Sequence, residues 1–423
     1  YSVGSLSNFS GSGNSYSVTF TPNAPTGSVS VASGKFSDAA GNQNADGPDA
    51  NNALAFTYDT TPPTVFVATD KTSLKAGESA TLTFTLSEAS ADFVVGDLTA
   101  TGGVLSGFTG SGTSYSVTFT PDAESTTNGV VSLASNKFSD MAGNFNADGA
   151  DTNNSQTITV NTVRPSIVVA ADKSNLKAGE TAGLTFTLSQ AASDFVLDDV
   201  TFSGGTIANF AGTGTSYTAT FTPTANSTAS GVVSVASNKF TNAAGNQNTD
   251  GSDANNSKTL SVDTVLPTIA LVPNKTLLKT DATATIAITL SESSTDFAAA
   301  DLDVTGGTLS GFSGSGTSYT VTFTPNSGSG TVSVVNGKFT DAAGNLNADG
   351  TETNNTVAFT YDTLLPTIAI TNDKPSLKAG ETSTLTFTLS ESSTDFTSSD
   401  VTVTGGALSN FAGSGVTYTA TFT

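Results

Sequence analysis

"ATLTFTLS" (Ala80–Ser87) sets Leu82, Phe84 and Leu86 on one side and Thr81, Thr83 and Thr85 on the other. A period of two, with β-branched residues on the polar side, describes a strand buried on one face of an antiparallel sheet. Downstream, "YSVTFT" repeats the alternation with Tyr115, Val117 and Phe119 inward. A later copy of the first stretch does so with Leu184, Phe186 and Leu188. A surface helix would space its apolar residues three and four apart, and no stretch does so convincingly. The chain reads as all-β.

Copies of these strands organise the 423 residues. A linker phrase appears as "DTTPPTV" (Asp59–Val65), "NTVRPSI" (Asn161–Ile167), "DTVLPTI" (Asp263–Ile269) and "DTLLPTI" (Asp362–Ile368). Its prolines Pro63, Pro165, Pro267 and Pro366 lie 102, 102 and 99 residues apart. Three complete units are expected at 61–162, 163–264 and 265–363, with partial units at 1–60 and 364–423. Solenoid repeats run roughly 20–50 residues. This longer period suits a domain with its own core, so the units are expected to follow one another as beads on a string.

Within 61–162, seven strands are expected near 64–69, 79–87, 93–101, 104–108, 114–120, 129–138 and 155–161. Turn signals "KAGE", "TGG", "GSGTS", "TNG" and "ADGAD" separate them. Gly110–Gly112 reads as a hairpin turn. Seven short strands in one such unit predict tandem antiparallel β-sandwiches of immunoglobulin type. The Cys–Trp–Cys core of antibody domains is absent, and a fibronectin-like strand topology stays open. Phe93, Phe108 and Phe138, with counterparts Phe195, Phe210 and Phe240, read as core.

Composition narrows function. The chain has no Cys, no His and no Trp, and carries 14 Lys plus Arg against 36 Asp plus Glu. The net charge of −22 disfavours nucleic acid and anionic membrane surfaces and favours cations. No apolar run reaches the roughly 18 residues of a membrane span. Without His there is no triad base, and glycine runs such as "GSGTSYS" lack a phosphate-loop Lys. No enzyme is expected. Both ends fall inside a unit, so a longer parent protein is expected.

One polar loop recurs four times: Phe36–Asn52, Phe138–Asn154, Phe240–Asn256 and Phe339–Asn355. In an immunoglobulin-type unit this loop should meet the loop after the second strand, and the preceding linker, at one end. That gathers Asp59, Glu88, Asp92, Asp140, Asn144, Asp148, Asp151 and Asn153. The spacing recurs at Asp46/Asp49, Asp250/Asp253 and Asp349/Glu352. Crowded carboxylates repel. Calcium, which takes 6–8 oxygen ligands, is the expected counter-charge. Asn242 and Gln190 replace acids in the unit 163–264 and make its site the least certain. A second acidic turn, Asp70/Glu78 with its copies, reads as polar turn chemistry.

"DTTPPTV", "LKAGESATLTFTLSE" (Leu74–Glu88) and "FSDMAGNFNADG" (Phe138–Gly149) together resemble the bacterial Ig-like domains of giant repetitive surface proteins, such as biofilm-associated proteins and RTX-type adhesins. The resemblance implies an extracellular, cell-surface stalk with calcium between or at the ends of domains, serving adhesion and biofilm. The expected partners are neighbouring domains of the same chain. Lateral self-association into a sheath, fibre or surface layer is the alternative, and glycan binding through the loops a third.

Overall fold

The computed structural model describes residues 3–45, 50–148, 151–250, 253–349 and 352–423. By internal contacts the chain divides into two compact units. One comprises Tyr1–Asn175, Glu180–Thr224 and Ala229–Ser261; the other Leu176–Gly179, Ala225–Thr228 and Val262–Thr423.

The repeat 61–162, in the first unit, is built from strands β1 (Val65–Thr69), β2 (Ser73–Lys75), β3 (Ala80–Ser90), β4 (Leu98–Thr101), β5 (Gly103–Pro121), β6 (Gly129–Leu133) and β7 (Ser155–Asn161). β1, β3 and β5 form one sheet, and β2, β7, β6 and β4 the other. The alternation seen in the sequence sets the register. Leu86 faces Val65 and Phe84 faces Val67 on one side of β3, while Leu82 faces Val117 on the other. These side chains bury against Val131, Leu133, Ile158 and Val160 of the second sheet. Outward threonines satisfy the polar face, as a half-buried antiparallel sheet requires.

Three local expectations need correction. The stretch 93–101 begins as a 3-10 turn at Val95–Asp97, because the Asp97 carboxylate accepts the Val94 N–H at 2.8 Å. β6 ends at Leu133, and residues 134–138 belong to the polar loop. β2 was not expected. It pairs parallel to β7, Leu74 beside Val160, so the first strand of the sandwich switches sheets after Thr69.

β5 is itself a folded-back hairpin. Its counterpart in 1–60 is two paired strands, Gly4–Ser12 and Ser15–Pro22. The reversal in β5 falls at Gly112, whose φ of +66° suits glycine. A Cβ on Gly103 or Gly129 would collide with the Phe119 ring, so these two glycines form the slot that seats it. Phe93 and Phe138 are buried and Phe108 packs beside them, edge-on to Phe93 at 5.5 Å between centroids. The phenylalanines are core, as expected.

In the repeat 163–264, Ile167–Ala171, Ala182–Ala192 and Gly205–Pro223 form the matching three-stranded sheet. Gly231–Val235 there joins Val200–Ser203 and Ser257–Asp263. The second unit holds the repeat 265–363, with both sheets, and the sheet Ile368–Asn372, Ser383–Ser393 and Leu408–Phe422. The acidic turn is structural. Asp70, Asp172 and Asp373 each accept a backbone N–H across the turn at 2.7–2.8 Å, and Asn274 does the same at 3.0 Å where no charge is present. Among the described residues the helical segments are 3-10 turns, and no helix is long and apolar enough to cross a membrane.

Candidate metal centre at the joints between repeats

The long loop is held by a ladder of alternating polar residues, Asn144, Asn146 and Asp148. Asn146 is fully buried. Its Oδ1 accepts the Lys137 and Phe138 N–H groups at 2.7 and 3.2 Å. Its Nδ2 donates to the Ala134 carbonyl at 2.9 Å and to Asp148 Oδ2 at 2.7 Å. Asp148, also buried, accepts the Val65 N–H at 2.7 Å and so ties the loop to the start of β1. The Ala147 N–H reaches the Pro63 carbonyl at 3.1 Å. A long polar loop thereby satisfies its own backbone and pins the linker.

From the other side, Tyr115 Oη donates to the Ser90 carbonyl at 2.8 Å and fixes the loop after β3. Asp92 completes the clamp, accepting Ser139 N–H at 2.9 Å and Ser139 Oγ at 2.7 Å. Burial works to raise the Asp92 carboxyl, but the Ser139 and Ser90 donors outweigh it and hold it below the usual range.

Between these clamps, Asp59 from the linker, Glu88 from the end of β3 and Asp140 from the long loop converge. One carboxylate oxygen of each lies within 4.8 Å of the others. Asp263, Glu292 and Asp341 make the same group in the second unit. Asp140 is buried, Glu88 half-buried and Asp59 exposed. Desolvation raises the Glu88 carboxyl, and the charges of Asp59 and Asp140 raise it further. Glu292 is raised in the same way, by desolvation and then by Asp263 and Asp341. For Asp140, desolvation is outweighed by Asn144, through side chain and backbone, and by the Ala142 and Gly143 N–H groups, so its carboxyl stays low. Each trio thus contains carboxylates that repel and one that resists losing its proton.

The residues expected to gather therefore part company. Asp59, Glu88 and Asp140 come together. Asn144 sits beside them, donating to the Asp59 carbonyl at 3.1 Å and to Asp140 Oδ2 at 2.8 Å. Asp148, Asp250 and Asp349 do not join a cluster. Their carboxylates are taken by Val65, Ile167 and Ile269 N–H groups at 2.6–2.7 Å. Asp92 is likewise occupied. Asp151 and Asp253 precede 3-10 turns with exposed side chains, Asn153 is exposed, and Glu352 accepts from Asn354. Asp46 and Asp49 lie outside the described residues.

Three roles were not read from the sequence. Asn146 is the keystone of the loop; the repeated Asn-x-Asn-x-Asp spacing carried that signal. The counterparts of Asn144 latch one repeat to the next. Asn246 Oδ1 accepts the Ala76 N–H at 2.7 Å, and Asn345 Oδ1 accepts the Ala178 N–H at 2.7 Å. Lys177 Nζ adds a bond to the Gly344 carbonyl at 3.0 Å. Finally, Asn161 completes the amide counterpart of the acidic trio.

An all-carboxylate donor set is hard oxygen chemistry, which suits calcium or magnesium and not the thiolate or imidazole metals. The trio can supply three of calcium's ligands, and backbone carbonyls and water are the remaining oxygen sources.

No curated protein sequence matches the chain. Among solved structures, it resembles FdeC, an Escherichia coli adhesin, at 14% identity and a TM-score of 0.30, over 72% of this chain and 98% of that one. It resembles invasin, a bacterial integrin-binding protein, at 14% identity and a TM-score of 0.28, over 87% and 70%. Titin domains I67–I69 align at 10% identity and a TM-score of 0.34, over 73% and 100%. The profile of one family matches residues 1–56, 59–160, 161–259, 263–359 and 362–423, and by it the chain belongs to the bacterial Ig-like domain family.

Proposed function

We propose that this chain is a stalk of a bacterial cell-surface adhesin, in which tandem Ig-like repeats are stiffened at their joints by calcium and hold a distal binding region away from the cell. In that setting it serves adhesion and biofilm formation. The observation that carries the reading is the origin of each acidic trio. One carboxylate comes from the linker, one from the end of the second core strand and one from the long loop. Asp263, Glu292 and Asp341 would hold the ion, and so would Asp59, Glu88 and Asp140. The ion supplies counter-charge, which ties the linker to the repeat that follows it. The chain's own groups support that role. Asn144 and Asn345 orient Asp140 and Asp341 through their side-chain amides at 2.8 and 2.9 Å. The Thr61 and Val265 N–H groups hold Asp59 and Asp263 in tight turns at 3.0 and 3.2 Å.

The test is small-angle scattering and calorimetry on the full chain, with calcium and with a chelator. Calcium should lengthen the particle and raise its melting temperature, since a ligand confined to the folded state adds RT ln(1 + [L]/Kd). If chelation changes neither, the calcium reading fails. Calcium-dependent growth of assemblies at high concentration would instead favour a lateral lattice.

A further inference from the structure

The joint between the repeats 61–162 and 163–264 replaces all three acids at once. Asn161, Gln190 and Asn242 stand where the other joints have Asp, Glu and Asp. Each change keeps the shape and removes the charge. A carboxylate can only accept hydrogen bonds, whereas an amide both donates and accepts. The geometry uses that difference. Asn242 Nδ2 donates to Gln190 Oε1 at 2.7 Å and to the Val163 carbonyl at 3.0 Å. Asn246 Nδ2 donates to the linker carbonyls of Asn161 and Val163 at 2.9 and 3.2 Å, while its Oδ1 takes the Ala76 N–H of the preceding repeat. The Asn246 bonds to linker and preceding repeat have counterparts through Asn345 at the acidic joint; what the amides add is a direct link of loop, strand end and linker through Asn242, Gln190 and Val163. Between Glu292 and Asp341, the equivalent contact needs a proton or a cation in the gap.

We propose that the 161/190/242 joint is a permanent lock, closed without any ion, so that this chain carries ion-gated joints and one ungated joint. The proposal deepens the calcium reading of the acidic joints and rests on it only for the contrast. Asn161 Oδ1 is buried without a hydrogen-bond partner, unlike Asp59 and Asp263, whose carboxylates accept the Thr61 and Val265 N–H groups.

The chain has no cysteine, so paired cysteines can be spin-labelled uniquely. Thr83, Thr185 and Ala287 are exposed, equivalent positions on the second core strand of three successive repeats. Distance distributions should be measured on the full chain for Thr83→Cys with Thr185→Cys, and for Thr185→Cys with Ala287→Cys. With chelator, the 185/287 pair should lose its narrow component and the 83/185 pair should keep it. Loss from both pairs alike overturns the lock. Loss from neither sinks the calcium reading alone, and the lock is then decided by Asn242→Ala, which deletes the bonds to Gln190 and to the Val163 carbonyl. In chelator that variant should broaden the 83/185 distribution, and an unchanged distribution overturns the proposal. Should it not fold, Gln190→Ala, which removes only the Oε1 acceptor, decides in the same way: the 83/185 distribution must broaden, and failure to broaden overturns the proposal.

Discussion

Glu292→Gln should change the sign of its effect with calcium. One carboxylate oxygen of each of Asp263, Glu292 and Asp341 lies within 4.8 Å of the others. Two unit charges at that distance repel by about 1 kcal/mol in bulk water, and physiological salt takes off close to half. The substitution removes two of the three repulsive pairs, so without calcium it should stabilise the repeat 265–363 by about 1 kcal/mol. With calcium the same change deletes a charged ligand. If calcium stands at a hundred times its dissociation constant, binding contributes about 2.7 kcal/mol, and the variant loses much of that. A change of 1 kcal/mol moves the melting point of a domain this size by roughly 4–8 °C. Calorimetry of the full chain should show the affected transition rising by about that amount in chelator and falling below native in calcium. Multidomain chains do not unfold in one two-state step, so the comparison is made on the transition that moves. A variant that is destabilised in chelator would refute the repulsion argument. A variant stabilised equally in both conditions would refute calcium at this site.

Acidity should mimic the cation. The Glu88 and Glu292 carboxyls are raised in the folded state, so their stabilisation is present below the ordinary glutamate value of 4.5 and is lost as pH rises through their higher folded values. Asp92, Asp140 and Asp296 are lowered, so theirs is present above 3.8 and lost on further acidification. In chelator the melting temperature should rise as pH falls towards 4.5 and drop again below 3.8, and calcium should flatten the first limb; a monotonic fall on acidification contradicts the assignment. Asn146→Ala strands two N–H groups, a carbonyl and Asp148 in a buried site, and should cost on the order of 4 kcal/mol at about 1–3 kcal/mol per unsatisfied group; urea titration of the full chain checks it, and a loss under ~1 kcal/mol would show that water replaces the amide. Asn345→Ala removes the latch to Ala178 and the bond to the Asp263 carbonyl. It should speed amide exchange at Ala178 while leaving the core of 265–363 protected, and unchanged exchange at Ala178 would show that the latch does not hold.

The fold was legible because its signal is periodic and redundant. Leu82, Phe84 and Leu86 name their inward face without outside information, and Pro63, Pro165, Pro267 and Pro366 mark at near-constant spacing where the pattern restarts. The parallel strand Ser73–Lys75 was not legible, since three residues with one buried leucine carry no period. The turn at Val95–Asp97 was hidden inside an apolar run for a related reason. Its deciding contact is a single carboxylate on the Val94 N–H, and Asp97 looks no different from any other loop acid.

The site was legible in outline and not in detail, and the cause is that aspartate does two jobs in the same loop. Asp140 and Asp148 are both buried and both accept N–H groups. What separates them is where the unpaired donors lie. Asp148 meets the first N–H of β1, which has no sheet partner to satisfy it, so its charge is spent inside the repeat. Among the described residues Asp140 takes its donors from its own turn and from Asn144, and it turns its remaining field towards Asp59 and Glu88. Within one loop no pattern of letters distinguishes these cases, because turn chemistry and ligand chemistry select the same residues. The contrast between joints does distinguish them. Asn, Gln and Asn replace the trio together at 161, 190 and 242, while Asp250 remains Asp beside them. A position whose charge is exchanged in concert with two distant partners answers to something the three share. A position that keeps its charge through that exchange answers to the backbone beneath it.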